Sequence, residues 1–195
     1  MVSGKLNRKR IIALSSVALA AAALIFLSWT HRPQAAPAPN DVPFALVDAT
    51  GKTVMNTDFR SKVMLIYFGY TSCPDICPTT LARVVQVHSD LPQDIRAQVV
   101  PIFITVDPDR DRPEQIGEYV ASFSPDLIGL TGSHDAIEAA ERAYKVFAEK
   151  SGDGEYYTVD HSSVLYIVGK DGKLREKLKG DATAEEILTA IRNAL

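Results

Sequence analysis

The segment Gly69-Tyr70-Thr71-Ser72-Cys73-Pro74-Asp75-Ile76-Cys77-Pro78 holds both cysteines of a 195-residue chain. Two thiols this close can cycle between dithiol and disulfide, ligate a metal ion, or do each in turn. A purely structural crosslink would be inefficient, because closing so short a loop removes little entropy from the unfolded chain. A spacing of four positions is about one helical turn, so both sulfurs can face the same side. Pro74 and Pro78 stiffen the segment and limit its alternative geometries. Where a helix opens here, its N-terminal partial charge is expected to favour the thiolate, the form that attacks disulfides and binds metals.

Histidine is the other residue type that could join the pair, and the chain has four. His31 falls in a Pro/Ala-rich stretch and is expected in solvent. His88 lies within a helical pattern and reads as a surface or boundary residue. His134 follows a helix-capping serine. His161 stands in Asp160-His161-Ser162-Ser163, just ahead of an apolar strand, where a structural role and a ligand role both fit. Two thiolates and one imidazole fall short of the four protein ligands of structural zinc. The same set suits copper, since soft thiolates favour Cu(I) and imidazole suits Cu(II). Asp107, ahead of Pro108, is explained equally by a turn-capping role and by a carboxylate that orients a ligand or meets a partner. Asp160 either favours a turn or orients the histidine. Asp75 adds charge that favours a cation, or is simply solvated. Tyr157 reads as a packing residue.

The elements that must position these groups are legible in the apolar pattern. Phe44 to Val47, a turn with Gly51, and Thr53 to Met55 suggest a short hairpin. Val63 to Phe68 and Val99 to Val106 are continuous apolar runs, as strands buried on both faces require. A helix opened by Pro78 follows the first, running through Leu81, Val84, Val85 and His88. Pro113 to Phe123 is a second helix, and Leu127 to Leu130 a short strand. Ser133 caps a helix expected over Asp135 to Lys150, with Ile137, Ala140, Tyr144 and Phe147 on its apolar face. Ser163 to Val168, the turn Gly169 to Gly172, and Leu174 to Leu178 form a hairpin. Thr183 caps a last helix ending at Leu195. This order predicts an α/β domain, a mixed sheet covered by helices. The cysteines fall where the first central strand hands over to its helix, the edge at which such sheets build sites.

The N-terminus carries a different signal. Lys5, Arg8, Lys9 and Arg10 form a basic cluster over residues 1–10, and Ile11 to Trp29 then runs 19 residues without a charge. A cleavable signal has an apolar stretch of about 7–15 residues, whereas a spanning helix needs roughly 20. The expectation is a transmembrane anchor over residues 11–30, with the basic flank in the cytoplasm and everything after it outside. Residues 31–43, rich in Pro and Ala, form a tether to a single domain over 44–195. The net charge of −3 gives no case for nucleic-acid binding. Two cysteines are too few to staple a fold, so a packed core must hold it.

Three segments in order are more specific than the cysteines alone: Tyr67 to Pro78, Thr105-Val106-Asp107-Pro108-Asp109-Arg110-Asp111, and Tyr157-Thr158-Val159-Asp160-His161-Ser162. Together they resemble the Sco/SenC family of thioredoxin-fold copper proteins, which assist assembly of the copper A centre of cytochrome c oxidase. The resemblance covers the whole exported domain. It implies a thioredoxin-like fold and one copper ion, Cu(I) or Cu(II), held by Cys73, Cys77 and His161. Asp107 and Asp160 are, from their positions in the chain and not from the resemblance, the candidates to stand behind those ligands. It also implies a metallochaperone rather than an enzyme. Its partners would be the copper A-bearing oxidase subunit and other copper chaperones or thiol reductants. Its place would be the inner membrane, with the domain in the periplasm. The alternative is a dedicated thiol–disulfide oxidoreductase that reduces the acceptor's cysteines, with Cys73 and Cys77 as the redox-active pair. Against a general oxidoreductase stand the three intervening residues, where the thioredoxin-like motif has two. The stretch from Asp126 to Leu195 also lacks the proline that thioredoxins place beside their disulfide. Thr71-Ser72-Cys73 suggests a peroxiredoxin-like loop, but Tyr67 to Tyr70 lacks the proline that would complete it.

Overall fold

The computed structural model describes residues 42–152, 154 and 156–195. The anchor expected over 11–30, most of the tether and His31 lie outside the described residues. Among the described residues no helix is long and apolar enough to cross a membrane.

Strands β3 (Val63–Gly69) and β4 (Val99–Thr105) are buried at every position and pair in parallel at the middle of a five-stranded sheet. Continuous apolar sequence is what such a position demands, because neither face meets water. The sheet order is β5-β4-β3-β8-β9, with β5 Ile128–Leu130, β8 Val164–Val168 and β9 Leu174–Lys179. β5 runs parallel to β4, β8 antiparallel to β3, and β9 antiparallel to β8, so the sheet is mixed. Helices α1 (Ile76–Asp90) and α5 (Ala184–Ala194) pack on each other and on these strands. Helix α3 (Pro113–Ala121) contacts β5, and α4 (His134–Tyr144) contacts the hairpin strand β1 (Ala45–Val47), which pairs with β2 (Thr53–Met55). A one-turn helix α2 (Gln93–Arg96) precedes β4. The expected thioredoxin-like mixed sheet flanked by helices is the one observed.

Local chemistry sets the helix ends. Ser133 Oγ accepts from the Ala136 amide at the start of α4. Thr183 and Glu186 bond reciprocally at the start of α5, a capping box that satisfies two orphan donors. Helix α4 departs from expectation at its other end. It stops at Tyr144, because Lys145 takes a left-handed conformation at φ 57° and turns the chain away. Phe147 is therefore not on a helix face, and 56% of it is exposed. The next residues form β6 (Ala148–Ser151), which pairs antiparallel with β7 (Thr158–His161), placing Ala148 opposite His161. His88 also corrects the sequence reading. It is buried at the end of α1, with its Nε2 3.1 Å from the Val99 carbonyl oxygen at the start of β4.

Candidate metal centre

The antiparallel register of β3 and β8 builds the site. Tyr67 stands opposite Leu165, so the residues that follow β3 lie beside those that precede β8. The chain leaves β3 at Gly69 and enters α1 at Ile76. Cys73 sits in the loop between them, its amide donating to the Tyr70 carbonyl at 3.2 Å. Cys77 is the second residue of α1. Pro78 follows at the third, where an amide would have no partner within the helix in any case. His161 ends β7.

These elements bring together Cys73, Cys77 and His161, whose ligand atoms all lie within 4.8 Å of one another. Cys77 Sγ and His161 Nε2, 84 positions apart in sequence, are separated by 3.4 Å. Metal–sulfur and metal–nitrogen bonds of about 2.0–2.3 Å hold three ligands of one ion about 3.5–4 Å apart, so donors no more than 4.8 Å apart can close on a single ion with small side-chain shifts. Both cysteines are free thiols; Cys77 is wholly buried and Cys73 is 9% exposed. His161 Nδ1 lies 3.2 Å from the Ser162 carbonyl oxygen. A carbonyl only accepts, so this bond puts the proton on Nδ1 and leaves the Nε2 lone pair facing the thiols.

Two tyrosines wall the imidazole, the Tyr67 ring at 6.3 Å and the Tyr70 ring at 5.8 Å, both edge-on. The Tyr67 hydroxyl also lies 4.0 Å from Cys77 Sγ and 3.3 Å from Ser163 Oγ. Gly69 is required by close approach rather than by its backbone angles. A Cβ there would sit 2.7 Å from Cys77 Sγ and 3.0 Å from the Phe103 ring.

Burial weighs on the protonation of Cys77 and of His161. It pushes the Cys77 thiol from 9.0 up to about 12, equivalent to about 4 kcal/mol against the thiolate. A helix N-terminus returns about 0.3–2 kcal/mol, so the expected activation of this thiol by its helix is outweighed. Burial also holds the His161 imidazole below its ordinary value, which keeps it neutral and able to ligate. A cation that needs the Cys77 thiolate must therefore displace its proton. Below the thiol's pKa, affinity should rise about tenfold per pH unit from this group alone. Calorimetric titrations of cation uptake in buffers of different ionisation enthalpy should show that released proton. Affinity independent of pH from 6 to 8 would contradict the assignment of Cys77.

The two candidate aspartates part company. Asp107 is buried, and its carboxylate accepts from the Tyr157 hydroxyl at 2.7 Å and from Arg110 Nε at 2.5 Å. It thus reaches the residue that leads into β7, and its carboxylate bonds go to Tyr157 and Arg110 instead of to the three ligands. Asp160 is exposed and forms no hydrogen bond to His161; the Ser162 carbonyl has that place, and Asp160 acts on the imidazole through charge alone. Asp75 is exposed at the N-cap of α1 and His134 pairs with Asp109 at the surface. Sequence reasoning assigned no role to Tyr67, Tyr70, Ser162 or Asp111. Only their presence in the three quoted segments marked them.

Comparison with known proteins gives this geometry its context. A family model described as SCO1/SenC matches residues 32–195. A SCO2-like protein of Rickettsia prowazekii is 39% identical over 154 residues, covering 77% of this chain and 75% of that protein. The structure of Bradyrhizobium japonicum ScoI with copper bound is 36% identical, with a TM-score of 0.73 over 80% of this chain and all (100%) of that one. BsSco, a member of the Sco family of cytochrome c oxidase assembly proteins in which a disulfide switch has been identified, is 27% identical. Its TM-score is 0.62 over 84% of this chain and 98% of its own. With its fold, its Cys-Cys-His cluster of two buried thiols and a half-buried imidazole, and a family match across the described domain, the chain belongs to the SCO1/SenC family.

Proposed function

We propose that this protein is a membrane-anchored copper metallochaperone that serves assembly of the copper A centre of cytochrome c oxidase, with its domain on the periplasmic side of the inner membrane. The observation that carries this reading is the convergence of Cys73, Cys77 and His161 on one point from two distant segments. Two sulfurs and one imidazole nitrogen suit copper in either oxidation state. Copper is the cargo here. Three protein ligands instead of four leave room for an acceptor ligand to enter before the first ligand leaves, which exchange of the ion requires. The apolar charge-free run ahead of the domain and its basic flank support the anchor and its orientation.

The unequal burial of the thiols supports a second reading, a reductase dedicated to the acceptor. Cys73, the more accessible sulfur, would attack the acceptor's disulfide and expel one acceptor thiolate, forming a mixed disulfide. Cys77 would then attack the Cys73 sulfur, release the second acceptor thiol and leave the Cys73–Cys77 disulfide. Two electrons pass to the acceptor, and a thiol reductant must restore the pair. One assay separates the readings: wild type and His161→Ala are mixed with the copper A-bearing subunit, and copper transfer and acceptor thiol content are followed together. Loss of transfer with intact thiol reduction supports the metallochaperone. Reduction by the metal-free protein that precedes and limits metallation supports the reductase.

Both readings make the redox state of the pair a gate. Protein oxidised to the Cys73–Cys77 disulfide has no thiolate to offer and should take up no Cu(I) until reduced, measured by chelator competition before and after a phosphine reductant. Equal uptake by the oxidised form would remove both cysteines from the ligand set.

A further inference from the structure

The turn from Asp107 to Asp111 forms no hydrogen bond to Cys73, Cys77 or His161, yet it grips both segments that carry them. On the cysteine side the grip is Asp111, which is wholly buried. Its Oδ2 accepts from the Thr71 amide at 2.9 Å and the Thr105 hydroxyl at 2.6 Å, and its Oδ1 accepts from the Thr71 hydroxyl at 2.5 Å. Thr71 lies two residues before Cys73. On the histidine side the grip is Arg110. Its Nη1 donates to the Tyr157 carbonyl at 3.0 Å, and its guanidinium lies 3.7 Å over the Tyr157 ring. Tyr157 leads directly into β7, four residues before His161, and its hydroxyl donates to Asp107. The two grips share a frame. The Thr105 hydroxyl donates to Asp111 while accepting from the Asp107 amide at 2.9 Å, and the Asp111 amide donates to the Asp107 carbonyl at 3.0 Å. Charge-assisted bonds of this kind are the stronger and more directional ones, and a buried carboxylate with three donors has few other places to go.

We propose that this turn is a two-armed brace that sets the separation of the thiol pair from the imidazole, with Asp111 positioning the cysteine loop and Arg110 positioning the His161 hairpin. The proposal rests on the reading of Cys73, Cys77 and His161 as one copper site, and it assigns roles to two residues that touch no metal. The hydrogen bonds of the two arms go to different ligand segments; the Arg110 guanidinium also lies 5.6 Å from the Tyr70 ring centroid, so the arms are separable beyond Tyr70. A structural role alone would not separate them: it would lower the melting temperature and leave the folded protein's ligands equally placed.

The test uses the full-length chain, first metal-free. Amide hydrogen exchange should quicken across 71–75 in Asp111→Ala and across 148–152 and 156–161 in Arg110→Ala, with little overlap. Copper affinity, read by chelator competition, should fall about 10–100-fold in each, the range for groups behind metal ligands. In a His161→Ala background, Arg110→Ala should cost nothing further, whereas Asp111→Ala should still weaken binding. Asp111→Asn, which keeps the shape and can donate to the Thr71 hydroxyl, should recover most of the loss. Should Asp111→Ala fail to fold, Thr71→Val removes one bond of the same arm and should shift exchange in the same segment. The proposal is overturned when both variants loosen the same amides, when neither loosens any, or when Arg110→Ala weakens copper equally with and without His161. A wild type that binds no copper would defeat the copper reading alone; the metal-free exchange pattern would still decide for or against the brace.

Discussion

Serine at position 77 should abolish tight Cu(I) uptake, and alanine at position 161 should cost more for Cu(II) than for Cu(I). Cu(I) prefers soft thiolates, and imidazole matters most to the harder Cu(II). Groups that merely stand behind a ligand cost about 10–100-fold in metal affinity when removed, so loss of a ligand itself should exceed about 100-fold. Both substitutions carry some packing cost, since Cys77 belongs to the buried core and His161 packs against the Tyr67 and Tyr70 rings. Serine at 77 is only slightly smaller, but the Tyr67 hydroxyl, 4.0 Å from Cys77 Sγ, is too far to bond the new hydroxyl without a shift. The cost of burying that hydroxyl stays within about 1–3 kcal/mol. Melting of the metal-free proteins therefore serves as the control. Chelator competition at fixed pH, run separately for the two oxidation states, gives the affinities. Unchanged Cu(I) affinity in Cys77→Ser, or equal loss for both oxidation states in His161→Ala, would refute this division of labour.

The central strands were legible because their two-sided burial imposes an unbroken apolar run, and the helix starts because Ser133 and Thr183 carry their caps in the sequence. The hairpin that bears His161 was not. Its first strand is Ala-Glu-Lys-Ser, mostly exposed and without β-branched residues, so nothing local marks it as a strand. Helical periodicity continues through Tyr144 and Phe147, and the residue that ends α4 is a lysine in a conformation usually signalled by glycine or asparagine. Cys73 and Cys77 announce themselves by spacing. The meeting of Cys77 with His161 depends on how β8 pairs with β3, which no local pattern encodes; there the resemblance to a known family supplied what periodicity could not. Asp111 drew no reading from the sequence beyond its place in a quoted segment. Its burial follows only from the approach of Thr71 and Thr105, two segments that converge through the sheet. The same limit produced the error over the Cys77 thiol. A helix start is visible in sequence, but the full burial that outweighs it is not.

Alanine at position 69 should damage stability and copper binding together, and a second glycine tells the two effects apart. The added methyl of Gly69→Ala would meet Cys77 Sγ at 2.7 Å, the Phe103 ring at 3.0 Å and the Tyr67 ring at 3.3 Å. All three neighbours are fully buried, so none can swing into solvent. Overpacking of this kind costs about 1–3 kcal/mol, or about 2–12 °C in melting temperature at about 2–4 °C per kcal/mol. The sulfur must also move. It is carried by the first turn of α1 and stands 3.4 Å from His161 Nε2, so any displacement alters the ligand set. Gly129→Ala is the matched control. Its methyl would meet Ile116 at 2.6 Å and Val120 at 2.9 Å, equally crowded but against α3 and not against a ligand. Both variants should melt earlier. Only Gly69→Ala should also lose copper affinity, by about tenfold or more, as displaced ligand geometry does. Equal affinity loss in the two would mean that the site merely reports global stability. Undiminished affinity in Gly69→Ala would mean that the Cys77 sulfur tolerates displacement, and that glycine here serves the packing of Phe103 and not the geometry of the metal centre.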